Sequence, residues 1–524
     1  MRRRGSVASC RGARTLWRSL TLLVAVSLLA LSGCVTVPTS GPVERIDGQA
    51  PPCQNCVNVE LQPPAVGDEP RSVVEGYLLA SSVYQPNYAV AKQYLTKAAA
   101  ETWSPEAGAQ IYSGTPTAVG RSKVVLQGRL QGLLGPDRTY TAQNRPLRVD
   151  FGLVKEGGEW RISKPPAGLM VAEYYFTRFF TSYNVYFIGN GATLVPDPIY
   201  LPNLPSQANV ASVLMKSLLD GPSRWLQPAV RSALPTGTDL SVDSVTVQDG
   251  IAQVPLSEAV LALNDRQRSL LAAQVVYTLK QAFGIEGVLF LVNQKPFRVP
   301  ESDNDSLVVA VDQILTDVDP VPFVAGDQVY AVRGRSVQLV DVTAGSPNPR
   351  PVPGPLGAGK YAVDSLAISV TNTDIAAVTD GQTVLRAGLT TARDDPSVRL
   401  SRVTNLLRPQ YSRYGELWAV ADSGGQQKMW LFNGEKRVEV GGALLADGRI
   451  VAFRISPDGA RMAVVRAVGK RMELGLARIN RADITTVDGW RPLNTSKPDV
   501  AAISLIRDVG WLGATELLVL GAAT

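Results

Sequence analysis

The chain contains no histidine in 524 residues. That absence removes the chemistries that need an imidazole titrating near neutral pH: Ser-His-Asp and Cys-His nucleophile systems, His-ligated zinc and the H-E-x-x-H class. Carboxylate-pair, Lys-based and Tyr-based chemistries survive this filter. Neither G-x-S-x-G nor Ser-x-x-Lys occurs, so serine-hydrolase and penicillin-binding chemistry lack their usual signatures. Cysteine is almost as scarce. Its four copies, Cys10, Cys34, Cys53 and Cys56, all fall within the first 56 residues. A basic surface is missing too, although the formal net charge is +6. Arg2, Arg3, Arg4, Arg11, Arg14 and Arg18 precede Cys34 with no acid among them, and removing those six from 52 basic residues leaves 46 against 46 acidic ones. The remainder is neutral and carries no footprint for a phosphate backbone, which excludes nucleic acid as a partner.

What is present begins with export. Residues 1–19 hold the positive charge, and Leu20 to Leu31 supply twelve apolar or near-apolar residues. That is the layout of a secretory signal peptide. Twelve helical residues span about 18 Å, short of a hydrocarbon core of roughly 30 Å, so a permanent transmembrane helix is disfavoured. The run ends on Leu31-Ser32-Gly33-Cys34 where a plain signal would have a small-x-small cleavage site. This step resembles the lipobox of bacterial lipoproteins. The resemblance implies cleavage between Gly33 and Cys34, an S-diacylglycerol on the Cys34 thiol and an N-palmitoyl group on its new amine. Two or three acyl chains, at about 0.8 kcal/mol per buried methylene, make such an anchor stable. The Pro-, Ser- and Gly-rich stretch that follows reads as a flexible tether. Cys53 and Cys56 lie on it as C-x-x-C, a pattern shared by redox pairs, half zinc sites and local disulfides. No βαβ pattern surrounds them and no other Cys or His completes a metal shell, so a local disulfide is the expectation.

The length, with 45% hydrophobic residues, suits two to four domains. Six segments are expected: signal peptide 1–33, tether 34–69, an α+β domain 70–172, a mixed α/β domain 183–300, linker 301–320 and an all-β domain 321–524. In the first domain "PRSVVEGYLLASSVYQPNYAVAKQYLTKAAAETW" predicts two amphipathic helices around Pro86. Alternating stretches follow, with a hairpin turn at Glu156-Gly157-Gly158-Glu159. Helices followed by a curved antiparallel sheet are similar to nuclear transport factor 2-like domains, a fold that assigns no function. In the second domain "YNVYFIG" and "TLVPDPIYL" predict strands, "ANVASVLMKSLLDGP" a helix, and Asp249-Gly250 a hairpin. Asn264 should cap a helix whose stripe is Leu271, Val275, Leu279 and Phe283 and which stops at Gly284, before the strand "GVLFLV". These segments resemble the GerMN domain of spore-germination and envelope lipoproteins.

Beyond "QILTDVDPVP" the chain repeats. Units with equivalent points near residues 366, 412, 455 and 510, each with short strands and tight turns, follow the β-propeller pattern. Ser456-Pro457-Asp458-Gly459 supplies turn chemistry. A partial unit precedes them, so about four to five blades are expected. The last unit stops after "ELLVLGAAT", before outer strands, so either another segment closes the ring or the natural C-terminus lies further on.

A lipobox, a GerMN-like middle and a terminal propeller together resemble the LpqB family of actinobacterial lipoproteins. The resemblance spans essentially the whole chain, including "LSGCVTVPTSGPV". It implies a protein on the extracytoplasmic face of the cell membrane, associated with the sensor domain of a two-component histidine kinase in envelope homeostasis. Only Cys34 carries over as a site residue. The expectation is a non-enzymatic interaction protein without catalytic residues, cofactor or metal. A carboxylate-dependent envelope hydrolase or sugar-binding protein built on the propeller is the alternative.

Four constellations bear on that choice. Gly354 to Tyr361 satisfies G-x-x-x-x-G-K but has Tyr361 where Ser or Thr should ligate Mg²⁺, and Pro351, Pro353 and Pro355 interrupt it. An inter-blade loop is expected there. Glu301, Asp303 and Asp305 offer oxygens to Ca²⁺ but lack the Gly and distal Glu of a calcium loop, which favours a solvated acidic linker. Asp394, Asp395 and Asp458 are the acids a propeller-borne glycosidase would draw on. Trp418, Trp430, Trp490 and Trp511, and the aromatic stretch 173–187, suit core or interdomain packing as well as ligand platforms.

Overall fold

The computed structural model describes residues 60–313, 318–321, 328–341, 348–495 and 503–523. Gly33, Cys34, Cys53 and Cys56 therefore lie outside the described residues. Among the described residues no helix is long and apolar enough to cross a membrane.

The first domain packs helix α1 (Pro70–Ser82) on a five-stranded sheet of β1 (Ala109–Ala118), β2 (Lys123–Leu134), β3 (Tyr140–Glu156), β4 (Glu159–Ile162) and β5 (Leu169–Ala172), in the order β4-β3-β2-β1-β5. Pro70 opens α1 at a position where its missing N–H costs nothing, and Val73, Val74, Tyr77 and Leu78 form its buried face. β3 turns into β4 through Gly157 and Gly158, both at positive φ, at the turn expected from their sequence. The second expected helix is split into α2 (Ala89–Gln93) and α3 (Lys97–Thr102). Between them Leu95 bridges to Ile162, and Ile162 N–H donates to the Tyr94 carbonyl. Pairing with the edge strand β4 satisfies backbone groups that continuous helix would have kept to itself, and Thr96 caps the restart by accepting from Ala99 N–H.

A short helix α4 (Glu173–Phe179) leads into the second domain. Its hairpin is β6 (Phe180–Ile188) with β7 (Leu194–Pro202). Helix α5 (Gln207–Leu219) follows, capped by Ser206 and released at Gly221. The sheet comprises β8 (Thr246–Gln248), β9 (Ile251–Leu256), β10 (Gly287–Val292), β11 (Lys295–Pro296) and β12 (Val309–Ala310). Asp249 and Gly250 both take positive φ in the tight turn between β8 and β9. Helix α6 (Asp265–Leu279) makes the crossover that lets β10 run parallel to β9. Asn264 and Gln267 form a reciprocal capping box at its start. The expected one-sided stripe is not what buries it. Every residue from Ser269 to Leu279 is buried, because the helix lies between elements, whereas Phe283 falls past its end and is half exposed. The acidic stretch at 301–306 folds as a turn in which Asp303 accepts from Asp305 and Ser306 N–H. Those backbone donors, Ser306 first, hold its carboxyl below the usual range. Beyond it β12 pairs with β10, so chain read as linker adds a strand to the second sheet.

The last domain is a succession of antiparallel sheets. The first has β13 (Gln328–Arg333), β14 (Ser336–Asp341) and β15 (Asn348–Pro351), followed by a single turn, α7 (Gly354–Gly357). The next has β16 (Val363–Ile368), β17 (Asp374–Thr379), β18 (Val384–Leu389) and β19 (Ser397–Leu400). Then come β20 (Gln410–Tyr411), β21 (Leu417–Ser423), β22 (Gln426–Asn433) and β23 (Lys436–Glu439). The fourth sheet holds β24 (Arg449–Ile455), β25 (Arg461–Val468), β26 (Arg471–Arg481) and β27 (Thr485–Pro492), and the fifth β28 (Ile503–Trp511) and β29 (Leu517–Ala523). The repeat points at 366, 412, 455 and 510 fall on or beside the first strand of four successive sheets. Consecutive sheets share apolar clusters, with Trp418, Phe453 and Val464 in one and Val465, Ile506 and Val509 in the next. That is propeller-like packing, in which each inner sheet is covered by its neighbours while the first and fifth sheets keep exposed apolar residues such as Val329 and Leu520.

Replacing Asn264 with Ala should remove the capping box of α6 and lower stability by about 1 kcal/mol. Urea denaturation should show an earlier midpoint for the second domain with an unchanged slope.

Candidate functional site

The described residues converge on the joint where the second domain meets the fourth sheet of the propeller. Its foundation is the turn Ser456-Pro457-Asp458-Gly459 between β24 and β25. Asp458 is fully buried and accepts from the Ser456 hydroxyl and the Ala460 N–H, both at 2.8 Å. It also pairs with the Arg461 guanidinium, itself buried, which donates in addition to the Ala514 carbonyl at 2.7 Å and so ties in the fifth sheet. Gly459 sits at φ 78°, and a Cβ there would stand 2.6 Å from the Tyr414 ring. Only glycine fits.

With its inner face satisfied by that pair, the turn offers its outer carbonyls to neighbours. The Tyr414 hydroxyl lies 3.0 Å from the Asp458 carbonyl and 3.0 Å from the Asn190 carbonyl of the second domain. Arg481 reaches the Gly459 carbonyl and holds Glu416 at 2.8 and 3.0 Å. Glu416 further accepts from the Ser412 hydroxyl at 2.8 Å. Burial alone would raise the Glu416 pKa, but Arg481 and these donors bring it below the usual carboxylate value.

The second domain answers with Trp225 and Leu226. The indole N–H of Trp225 donates to the Gly489 carbonyl and its own carbonyl accepts from Arg478. The Arg491 guanidinium lies 4.7 Å from the ring centroid, and burial lowers its pKa. Leu226 is fully buried with Val195 and Ala460, a small apolar core shared by both domains. Beside it Asp197 is buried, accepts from Ser223 N–H at 2.7 Å and hydroxyl at 3.0 Å, and has its pKa raised by burial. Arg413 adds a bond to the Asp319 carbonyl at 2.7 Å. At the far end Asn494 donates to the Gln131 carbonyl of the first domain at 3.1 Å.

Aromatic packing makes the other joint. Phe176 of α4 stacks on Tyr140 at 5.7 Å and meets Tyr200 at 5.2 Å, so the 173–187 stretch serves interdomain packing while Tyr174 stays exposed. Trp418 and Trp430 are core residues, and Trp490 and Trp511 are half-buried beneath Arg466 and Arg461. The Lys360 amine of the G-x-x-x-x-G-K stretch is bound by both carboxylate oxygens of Asp395, at 2.7 and 2.6 Å. Lys360 holds the Asp395 pKa low, as Arg449 does for Asp422. Asp395, Glu416 and Asp422 are thus kept as anions, the wrong state for a general acid, and Asp458 is spent on structure. Asp394 and Asp395 do line a hollow of about 320 Å³ with Asp374 and Tyr411. Among the described residues no group of three or more His, Cys, Asp or Glu could hold a metal ion.

Of the joint's residues only the 456–459 turn was legible beforehand. Trp225, Tyr414, Arg461 and Arg481 carried weak signals: a lone Trp after a helix stop, and arginines just past a turn or at a strand end.

Three family descriptions match the chain in order. They are "Lipoprotein LpqB, N-terminal domain" over residues 63–177, "Sporulation and spore germination" over 184–298, and "Lipoprotein LpqB beta-propeller domain" over 337–524. The chain is 32% identical to a lipoprotein LpqB of Cutibacterium acnes over 540 residues, covering 97% of this chain and 87% of that one. It is 26% identical to a lipoprotein LpqB of Thermobifida fusca, covering 94% and 85%. Among solved structures, the first GerMN domain of the sporulation protein GerM from Bacillus subtilis aligns at 20% identity and a TM-score of 0.19, over 23% of this chain and 89% of that one.

Two outcomes are expected at the joint. Asp458→Asn leaves Arg461 buried without its counter-charge and should cost about 3–5 kcal/mol, read as an earlier thermal transition of the propeller. The Glu416 contribution has a definite sign in pH. Its folded pKa lies below the unfolded value of about 4.3, so the stabilisation is whole above that pH and fades as pH falls through the folded pKa. Glu416→Gln should flatten the acid limb of the stability-versus-pH curve.

Proposed function

The chain belongs to the LpqB lipoprotein family, and from that premise we propose that it is an extracytoplasmic accessory protein held to the cell membrane by acyl chains on Cys34. The observation that carries this reading is Leu31-Ser32-Gly33-Cys34 closing a basic, twelve-residue apolar leader, in a chain with family matches along its length. Beyond the tether, domains joined through Trp225, Tyr414 and the aromatic cluster around Phe176 would present their surfaces in a defined arrangement. Loops on rigid scaffolds bind partners without catalysis, which suits an accessory role. The partner proposed is the extracytoplasmic sensor domain of a two-component histidine kinase, whose signalling the protein would modulate in envelope homeostasis. The family names describe lipoprotein, germination and propeller domains and no enzyme class.

The test compares the expressed protein with Cys34→Ala. Wild type should fractionate with membranes, at an intact mass showing loss of residues 1–33 and gain of acyl groups, and crosslinking in that membrane should capture the kinase. Cys34→Ala should lose both acylation and membrane retention. An unmodified, soluble wild type would overturn the anchor, and acylated protein that never crosslinks to a histidine kinase would overturn the partner.

A further inference from the structure

A second cleft, of about 280 Å³, opens where the first domain meets the second, away from the propeller joint. Tyr84, Tyr88 and Leu169 of the first domain face Tyr200, Leu204 and Val213 of the second across it. Its mostly apolar lining and its position at a domain boundary are those of a small-molecule site, and its size suits a small ligand. Glu106 and Arg138 are the charged residues of its wall.

The arrangement of the tyrosines is specific. Tyr84 and Tyr88 meet edge to face, with centroids 6.1 Å apart and planes at 82°, and so form an aromatic corner. Trp103 backs Tyr88 edge-on at 6.2 Å. The backbone that turns Tyr88 inward is strained: Asn87 and Tyr88 take φ of 54° and 49° in succession, a region that costs about 1–2 kcal/mol per L-residue. Tyr88 is only 9% exposed, yet among the described residues neither its hydroxyl nor that of Tyr84 has a protein hydrogen-bond partner. Neither oxygen is among the fully buried unpartnered ones, so both are open to a group entering from solvent. The Glu106 carboxylate is close enough to add, after burial and Tyr84, to the upward push on the Tyr88 pKa. Arg138 does not cancel this negative end. Its guanidinium points to the Ser217 hydroxyl at 3.4 Å, in a neighbouring hollow whose lining includes Asp137, Asp197 and Asp220.

We propose that this cleft binds a small cationic amphiphile, with an ammonium group seated in the Tyr84–Tyr88 corner beside Glu106 and an apolar body lying between Leu169 and Val213. The cation would take up the ring faces, the two free phenolic oxygens and the carboxylate, and the body would cover the aliphatic wall. The site is independent of the anchor and of the kinase, so its failure would leave both standing.

The test uses residues 34–524 carrying Cys34→Ser, which keeps the chain free of lipid, titrated into dansylcadaverine, an ammonium on a naphthalene body. Saturable, blue-shifted fluorescence is expected, with dansylglycine, the same ring bearing a carboxylate, at least about tenfold weaker. Glu106→Gln should weaken dansylcadaverine by roughly tenfold, and Val213→Trp, which fills the cleft, should abolish saturation. Leu204→Trp fills it from the neighbouring loop and replaces Val213→Trp if circular dichroism shows that variant unfolded. Absence of saturable binding, equal binding of the two dyes, or binding indifferent to the filled cleft would each overturn the proposal.

Discussion

The buried pair of Asp458 and Arg461 is the contact on which the arrangement of the domains turns. An ion pair taken out of water is costly unless its remaining hydrogen-bonding capacity is used. Here Ser456 and Ala460 N–H satisfy the Asp458 carboxylate and Arg461 Nη2 also donates to the Ala514 carbonyl, while the buried Arg461 Nε has no partner among the described residues. Because the pair closes the inside of the turn, the carbonyls of Asp458 and Gly459 stand outward, where Tyr414 and Arg481 meet them. Tyr414 then reaches Asn190, and the second domain is seated. The pair therefore contributes geometry more than net stability, holding a four-residue turn in the one conformation that can carry a domain.

Around this turn the arginines take the place that apolar contact would fill in a larger interface. Arg478 donates to the Trp225 carbonyl, Arg491 lies over the Trp225 ring, and Arg481 does both, bonding the Gly459 carbonyl and lying over the Tyr414 ring. Among the described residues Leu226, Val195 and Ala460 form its buried apolar centre, with Trp225, Ala229 and Val230 packed against it. Such a joint is specific in direction, and the domains it connects each have a core of their own. The junction of the first two domains has the opposite character. Phe176, Tyr140 and Tyr200 make a continuous aromatic contact, and the chain passes through it without a linker.

Much of this was legible from local pattern. The capping box at Asn264, the turns at Gly157-Gly158 and Asp249-Gly250, and the repeat that becomes successive sheets all follow from short-range rules, because their causes lie within a few residues. The break at Tyr94 to Thr96 was not legible, since its cause is a backbone pairing with Ile162, far along the chain. For the same reason Phe283, in phase with a helical stripe, falls beyond the helix. Periodicity cannot tell where tertiary packing ends an element.

Sequence by itself determined the exclusion of imidazole chemistry and the order of domain types, and it alone carries the proposal of export and acylation at Cys34, because each depends on composition or on spacing along the chain. Tertiary structure alone decided which charges remain available. Lys360 is consumed by Asp395, Glu416 by Arg481 and Asp458 by Arg461, while Tyr84 and Tyr88 line a cleft. The physical reason is that electrostatic and hydrogen-bonding partners are chosen by distance in space, and two of these pairs join residues 35 and 65 positions apart.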